Sequence, residues 1–355
     1  MGGGRTHLER FVPALQRARP EWELCVYVSG DQFAWEGVDV QRVSVGRRGR
    51  TVWDAWQVGR VSARSRGDVL VNLANYGPVR SPVPSVLYQR NALYFDRRWL
   101  HGASARARAA ARARRLIAFA QGRGSSLVVV PSRAMEGFLR AWRGFPSSVP
   151  VEVVPHGVDI EALAFEPAAT GSPARIVSLG HAAPHKELHV LVDMMAVLVR
   201  RGVDVRLEMS AATEDDPGYV GNVERRIAAA GLRDRIALVG RVGAAEFLRG
   251  AHVAVQPAAT ESFGFAVVEA MAAGVPVVAS SIPASKELLG DLGWYFEVGD
   301  AEGAAACVEE VLRADRAAVL ERVRGARLAA ESLTWERNAE QVAAAIERVL
   351  QRSRS

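Results

Sequence analysis

Short apolar segments that end in turn residues alternate with amphipathic stretches along the first half of the chain. Five of these segments have the length and composition of buried strands: residues 24–28, 69–73, 85–88, 127–130 and 151–154. Within residues 7–18, apolar side chains recur at helical spacing, which predicts a first amphipathic helix. Continuously apolar strands that alternate with helices predict a parallel sheet with crossover helices.

The second half repeats this alternation after residues 165–174, a segment rich in Pro, Gly, Ser and Thr that we interpret as a linker. Strands are expected at residues 175–179, 205–209, 236–239, 252–256 and 275–279, with helices at 188–200 and 266–273. The pattern predicts two doubly wound α/β domains, 1–164 and 175–334. An amphipathic helix at 335–352 closes the chain, and we expect residues 335–355 to cross back to the first domain.

The glycines at positions 2–4 stand where a doubly wound domain has the loop between its first strand and its first helix. No strand precedes them. We expect that the sequence is truncated, that its start codon is placed too late, or that the first strand is absent, and we favour the first two. A sheet without that strand would expose the hydrogen-bonding edge of its neighbour.

Composition narrows the class of protein. With 355 residues and 49% hydrophobic content, the chain is long enough for two domains with separate cores. It has no run of eighteen apolar residues that would span a membrane and no hydrophobic signal segment at its start. Cys25 and Cys307 are far apart in sequence, which indicates neither a disulfide framework nor a zinc site. These features favour a cytoplasmic protein.

The net charge of +6 comes almost entirely from arginine, since Lys186 and Lys286 are the only lysines among 45 basic residues. The chain contains no nucleic-acid-binding motif, and we expect no nucleic-acid partner. Between Ala105 and Arg115, arginine alternates with alanine in a predicted helix. This helix fits either a solvated surface or a contact with anionic lipid at the inner membrane face or with an acidic acceptor.

Residues 251–290 carry the clearest chemical pattern, which predicts a strand, a loop at 260–265, a helix and a second strand. Open α/β sheets bind ligands at the carboxyl ends of their strands. The helix points its N-terminal amides at that crevice, and Gly264 allows an anion to approach the backbone closely. Glu269, about one turn into the helix, can accept two hydroxyl hydrogen bonds from a ribose, and Glu261 can accept those of a sugar.

By themselves, the two glutamates could equally well be structural and bind no ligand. Glu261 would then be a charge on a surface loop, and Glu269 a charge that complements the helix dipole. The whole segment, however, resembles the signature of the retaining glycosyltransferases of family 4: a glutamate, seven residues, a second glutamate, then Ala-Met-Ala-x-Gly-x-Pro-Val. The resemblance implies that Glu261 contacts the donor sugar, in a catalytic role, and that Glu269 binds the ribose. Further donor contacts that it implies fall on Ser262, Phe263, Gly264 and Phe265.

Three shorter segments are similar to the same family: residues 153–159 before the hinge, residues 178–186 as the donor-phosphate loop, and residues 238–242 as the turn that frames the nucleobase. Lys186 would neutralise the charge that develops on the leaving diphosphate, which makes it a second catalytic candidate. The other donor contacts implied by these segments fall on Gly180, His181, Arg241 and Val242. Gly3 and Gly4 would bring the first domain close to the diphosphate.

The chain departs from the family at two places. Many members carry an arginine after the glycine at 180, paired with the lysine, and here His181 stands instead. Many members also carry a histidine on the acceptor side, where this chain reads Tyr88 to Asp96. Arg90 and Asn91 are candidates there for contacts with the sugar or the acceptor, and they fit equally well as caps of a strand end.

The resemblance implies a GT-B fold, with two Rossmann-like domains whose parallel sheets face a central cleft. It also implies transfer of a sugar from a nucleotide-diphosphate sugar to a hydroxyl acceptor with retention, in glycan or glycosylated natural-product biosynthesis. No metal or other cofactor is indicated, and the acceptor is a small molecule, a saccharide or a lipid-linked compound. Two alternatives stay open: a sugar-nucleotide epimerase and a nucleotide-sugar-binding protein without catalysis.

Overall fold

The computed structural model describes residues 3–28, 33–42, 58, 67–73, 75–167 and 171–354. The chain divides into two compact units, which we call the N-terminal unit (Gly2–Gly157 with Thr334–Ser355) and the C-terminal unit (Val158–Leu333). The division falls before the predicted boundary at residue 164, because Val158, Ile160 and Leu163 are buried in a hydrophobic cluster of the C-terminal unit.

The described residues of the N-terminal unit form two parallel sheets. Its strands are β1 (Cys25–Val28), β2 (Asp39–Arg42), β3 (Leu70–Asn72), β4 (Ser85–Tyr88), β5 (Leu127–Val130) and β6 (Val151–Val153). Strand β1 pairs with β2, and the other four form a sheet in the order β3-β4-β5-β6. The helices that the structure describes before the division are α1 (Gly3–Ala18), α2 (Arg97–Gly102), α3 (Ala105–Arg123) and α4 (Arg133–Arg140). The core of this sheet includes Leu87, Phe95, Phe119, Val128 and Met135.

The C-terminal unit is a six-stranded parallel sheet with helices along it. Its strands are β7 (Ala174–Ser178), β8 (Val205–Met209), β9 (Ile236–Leu238), β10 (Val253–Gln256), β11 (Val277–Ser280) and β12 (Trp294–Phe296). Its helices are α5 (Leu188–Arg200), α6 (Pro217–Ala229), α7 (Ala244–Leu248), α8 (Phe265–Ala273), α9 (Pro283–Leu289), α10 (Ala301–Arg313) and α11 (Arg316–Glu331). The strand order β12-β11-β10-β7-β8-β9 reverses between β7 and β10. In a doubly wound sheet, such a switch point forms a crevice at the carboxyl ends of the strands.

The predicted linker at 165–174 includes residues that pack against the C-terminal unit. The amide of Glu166 donates to the carbonyl oxygen of Ala273 (3.2 Å), at the end of α8. Gly274 follows with φ +77°, and a Cβ at this position would lie 2.8 Å from the Phe165 ring. The glycine therefore allows the segment before β7 to lie close to the end of α8. Residues 168–170 of the predicted linker lie outside the described residues.

The last helix, α12 (Trp335–Arg354), belongs to the N-terminal unit and packs on α1. Arg19 of α1's C-terminal flank donates to Glu347 (2.6 Å) and Glu340 (3.0 Å) of α12. Trp335 is buried, and a Cβ at Gly157 would lie 2.4 Å from its backbone nitrogen. The absence of a side chain at Gly157 therefore lets the start of α12 pack against residue 157, where the N-terminal unit's first stretch of chain ends.

Helix α3 carries three exposed arginines at different angles around its axis, Arg106, Arg108 and Arg112, which we call the arginine cluster. Arg115 differs, because it stacks 3.5 Å from the Trp142 ring centroid and donates to the carbonyl oxygen of Tyr94 (2.7 Å). The arginine stretch is therefore partly structural and partly a charged surface. Among the residues that the structure describes, no helix is both long enough and apolar enough to cross a membrane.

Candidate functional site

The predicted catalytic pair meets at the switch point of the C-terminal sheet. Lys186 lies in the loop after β7 and Glu261 in the loop after β10, and β7 and β10 are neighbours. The Lys186 ammonium donates to Glu261 Oε1 as an ion pair, with 16% and 23% of the two side chains exposed. The amide of Ala259 also donates to the carbonyl oxygen of His185 (2.9 Å), which ties the two loops together.

The loop that holds Lys186 turns sharply into α5. A single 3-10 turn, Pro184–Lys186, ends at Glu187, whose φ of +50° is uncommon for a residue with a side chain. The first amide of α5, at Leu188, donates to the Tyr219 hydroxyl oxygen (2.8 Å) instead of to a capping residue of its own segment. This turn leaves Lys186 at the edge of the sheet, where it contacts Glu261.

The loop after β10 leads directly into the first turn of α8. Its N-cap is Gly264, with φ +111° and no side chain to accept from the helix amides. The amide end of α8 is therefore open to an anion from outside the helix. Phe263 is 3% exposed and packs in the hydrophobic cluster of this unit, so only its backbone is placed for a ligand contact. Ser262 and Phe265 are partly exposed beside Gly264.

Glu269 lies in α8, and its carboxylate makes no hydrogen bond or ion pair with any residue that the structure describes. Burial raises the pKa of Glu269 to about 7, the Asp159 charge acts in the same direction, and Lys186 opposes both. A half-buried carboxylate without donors loses solvation that a ligand with hydroxyl groups can replace. This position has the chemistry of a diol-binding group.

Burial and the Lys186 charge shift the pKa values of Glu261 and of two nearby histidines. Burial by itself would raise the pKa of Glu261, but the Lys186 charge and hydrogen bond outweigh it, and the pKa is lowered. Burial, reinforced by Lys186, lowers the pKa of His185 to about 4. Burial and Lys186 likewise lower the pKa of His181, against the opposing charges of Glu261 and Asp215. At neutral pH both imidazoles are therefore uncharged in the unliganded chain.

Two residues that the sequence analysis missed hold the Gly180 loop. Gly180 has φ +143°, and its amide donates to the Ser210 hydroxyl (2.8 Å), which donates back to the Gly180 carbonyl oxygen (3.0 Å). Asp215 accepts from the Ala182 amide (3.0 Å) and from Arg241 (2.8 Å). The sequence feature that could have indicated Ser210 is its place directly after β8, at the same edge of the sheet.

Arg241 and Val242 follow β9 at this edge of the sheet. Arg241 pairs with Asp215, and Val242 is 38% exposed. Beside them lies a surface cavity of about 500 Å³, which has both acidic and apolar lining residues. The cavity is lined by Ala211, Ala212, Thr213, Glu214, Val220, Glu224, Leu238, Gly240 and Arg241. Its size suits a small ligand or part of one.

The remaining candidates lie in the N-terminal unit. Asn91 accepts from the Leu93 amide (3.0 Å) and so caps a short 3-10 helix, whereas the structural alternative for this residue was the cap of a strand end. The Arg90 amide donates to Asn75 Oδ1 (2.6 Å), and its guanidinium makes no ion pair with a described residue. Burial lowers the pKa of Arg90 to about 10. Gly3 is the first residue of α1 and Gly4 is the second.

Across the described part of the chain, no three His, Cys, Asp or Glu side chains are grouped as a metal site would require. The charged groups at the switch point are instead one ammonium, two carboxylates and the open end of a helix. This set suits an anion that also carries hydroxyl groups.

Comparison with known protein families covers both units. Residues 1–162 match the family described as Glycosyltransferase Family 4, and residues 159–324 match Glycosyl transferases group 1. Phosphatidyl-myo-inositol mannosyltransferase of Mycobacterium leprae is 31% identical over 192 residues, 51% of this chain and 50% of that protein. The chain thus spans about half the length of the curated relatives that it matches.

Solved structures resemble nearly the whole chain. Sucrose-phosphate synthase from Thermosynechococcus elongatus superimposes with a TM-score of 0.81 at 18% identity, over 99% of this chain and 94% of that one. Anabaena HepE, in complex with UDP and glucose, has a TM-score of 0.74 at 19% identity. The superposition covers 98% of this chain and 96% of that one. At such identities the likeness establishes the fold alone, and that fold is GT-B, as the sequence predicted.

Proposed function

Because the chain belongs to the glycosyltransferases of family 4, we propose that it moves a sugar from a nucleotide-diphosphate sugar to a hydroxyl acceptor with retention of configuration. One observation carries this proposal. Lys186, Glu261 and the open amide end of α8 lie together at the switch point of one sheet, with Glu269 on the same helix. They supply a cation and amides for a diphosphate and carboxylates for hydroxyl groups.

The diphosphate would bind at Gly264 and the first turn of α8. Lys186 is paired with Glu261 in the unliganded chain, so a bound diphosphate competes with that carboxylate for the ammonium. A charge placed where the leaving group becomes negative lowers the barrier to bond breaking. Released from Lys186, the Glu261 carboxylate can accept hydrogen bonds from the sugar hydroxyls.

Glu269 would accept the two hydroxyl hydrogen bonds of the ribose. Its carboxylate has no partner among the described residues, and its raised pKa reflects the solvation that it has lost. Hydroxyl donors from the ribose compensate for that loss. The cavity beside Arg241 is the candidate site for the nucleobase.

Retention follows if the acceptor oxygen attacks the anomeric carbon from the face that the diphosphate leaves. The bond between that carbon and the phosphate oxygen breaks, and its electron pair stays on the phosphate. The acceptor proton then passes to the same phosphate oxygen, so the step needs no separate general base. Arg90 is the candidate contact with the acceptor, for which saccharide, small-molecule and lipid-linked compounds are the classes to test.

The test uses the two lysines of the chain as variant and control. Lys186→Ala should lower turnover at saturating donor by about a hundredfold or more, as expected when one charge-stabilising group is removed. Lys286→Ala changes an exposed residue of α9 and should leave turnover unchanged. Donors are first selected by thermal shift with UDP-, GDP- and dTDP-sugars, because a bound donor raises the unfolding temperature.

Three outcomes contradict the proposal in different ways. Equal turnover of wild type and Lys186→Ala would remove Lys186 from catalysis. Donor binding without turnover across saccharide, small-molecule and lipid-linked acceptors would favour a binding protein. Donor conversion without an acceptor, with a change at a sugar carbon, would favour an epimerase.

A further inference from the structure

His181 stands at the entrance to the proposed diphosphate site. It follows Gly180, whose peptide is fixed by Ser210. His181 is an exposed residue whose ring is partly shielded from solvent. The centroid of its ring is 5.7 Å from that of His185, the residue before Lys186. No described residue accepts a hydrogen bond from the His181 ring, so its nitrogens are available to a ligand.

The fixed charges near His181 cancel in pairs. Lys186 is neutralised by Glu261, and Asp215 is neutralised by Arg241. His185, another titratable neighbour, is uncharged at neutral pH because burial and Lys186 lower its pKa to about 4. A nucleotide-diphosphate sugar brings two negative charges into this surrounding. One ammonium, shared with Glu261, leaves part of that charge unmatched.

We propose that His181 binds the donor diphosphate as an imidazolium and takes up one proton from solvent when the donor binds. This inference rests on the proposed function and adds a pH-dependent contact at a position where many family members carry a permanently charged arginine. The proton goes to His181 rather than His185 because His181 is the more exposed of the two rings and belongs to the loop held by Ser210 and Asp215.

The direction of the pH dependence follows from the two states of the ring. Without donor, burial and Lys186 hold the pKa of His181 below 6.5, so the ring is neutral at physiological pH. The diphosphate favours the charged form and raises that pKa. The contribution of His181 to donor affinity is therefore greatest at low pH. It falls by at most about tenfold per pH unit between the free and bound pKa values.

Calorimetric titration of the full chain with UDP-glucose and with GDP-mannose, without acceptor, measures this effect. The two phosphates of these donors keep a constant charge between pH 6 and 8.5, so pH dependence arises from the protein. Titrations in buffers of different ionisation enthalpy count the protons taken up. The variants are H181R, H181Q and H185Q, and Glu269 contributes equally to all of them.

We expect wild type and H185Q to take up about half a proton or more beyond H181R near pH 6.5, in line with a tenfold contribution of His181 to donor affinity at pH 6. H181Q should bind donor about tenfold more weakly than wild type at pH 6 and equally well at pH 8.5, whereas H181R should bind well at both. Equal proton uptake by wild type and H181R would overturn the inference while leaving the proposed function intact. Loss of uptake in H185Q alone would place the proton on His185 and also overturn it. Failure of every nucleotide-sugar to bind at any pH would instead refute the proposed function.

Discussion

The Glu269 carboxylate should destabilise the unliganded chain at alkaline pH, and Glu269→Gln tests this directly. Burial raises the pKa of Glu269 from 4.5 to about 7 in the folded chain. Between these values the folded state holds a proton that the unfolded state has lost, so the contribution of Glu269 to stability falls as pH rises through this window. Glutamine has the same shape and no charge to desolvate.

The size of the effect follows from the width of that window. Each pH unit by which a pKa differs between the folded and unfolded states is worth about 1.4 kcal/mol, so the upper limit for Glu269 is about 3 kcal/mol. Because the side chain is half-buried and partly solvated, we expect Glu269→Gln to raise the free energy of unfolding by about 1 to 3 kcal/mol at pH 8. At pH 4.5 and below, the gain should vanish.

Urea unfolding of wild type and Glu269→Gln at pH 5 and pH 8 provides the measurement, with Glu246→Gln as the control at an exposed glutamate of α7. A saturating nucleotide-sugar should reverse the order at pH 8, because it stabilises wild type more than the variant. If Glu269→Gln destabilises the chain equally at both pH values, the carboxylate has a stabilising partner and the argument for a diol site is refuted.

Two further experiments test the helix end and the arginine cluster. Gly264→Ala forces a side chain into a left-handed backbone, 3.1 Å from Leu288, and should cost about 1 to 3 kcal/mol and abolish donor-induced stabilisation. Gly299→Ala, at a similar φ with open space around it, should keep that stabilisation. Replacing all three residues of the arginine cluster by glutamine should weaken co-sedimentation with anionic lipid vesicles about a hundredfold at low salt, since each charge is worth about 1 kcal/mol. Unchanged sedimentation would show that the arginine cluster is only a solvated surface.

Strands with strong apolar patterns could be predicted from the sequence, and those without one could not. Strands β4, β5 and β8 have the predicted bounds. β4 and β5 are continuously buried segments, and β8 alternates apolar with charged residues. β2 was missed because three of its four residues are exposed, so burial left no pattern in the sequence. β12, with three residues, is too short to show a period.

The missed contacts of the site are between segments far apart in sequence. Asp215 lies between two other acidic residues, and such a cluster before Pro217 is typical of a helix start. Asp216 does cap α6 through the Tyr219 amide (3.0 Å). Asp215 instead points to Ala182 and Arg241. The local sequence does not show which of Asp215 and Asp216 caps the helix and which binds other loops. That depends on which loops the sheet places beside each residue.

The contact between Lys186 and Glu261 shows that strand order decides which loops become neighbours. The sequence could put each residue in a loop at the carboxyl end of a strand, but the two positions are 75 residues apart. They become neighbours because β8 and β9 extend the sheet on one side of β7, and β10 returns to its other side. Any strand order that kept β7 and β10 apart would leave the ammonium and the carboxylate unpaired and partly buried, which is costly. The strand order and the ion pair are therefore consistent with each other. The N-terminal end of α8 lies beside the pair because α8 starts where the loop after β10 ends.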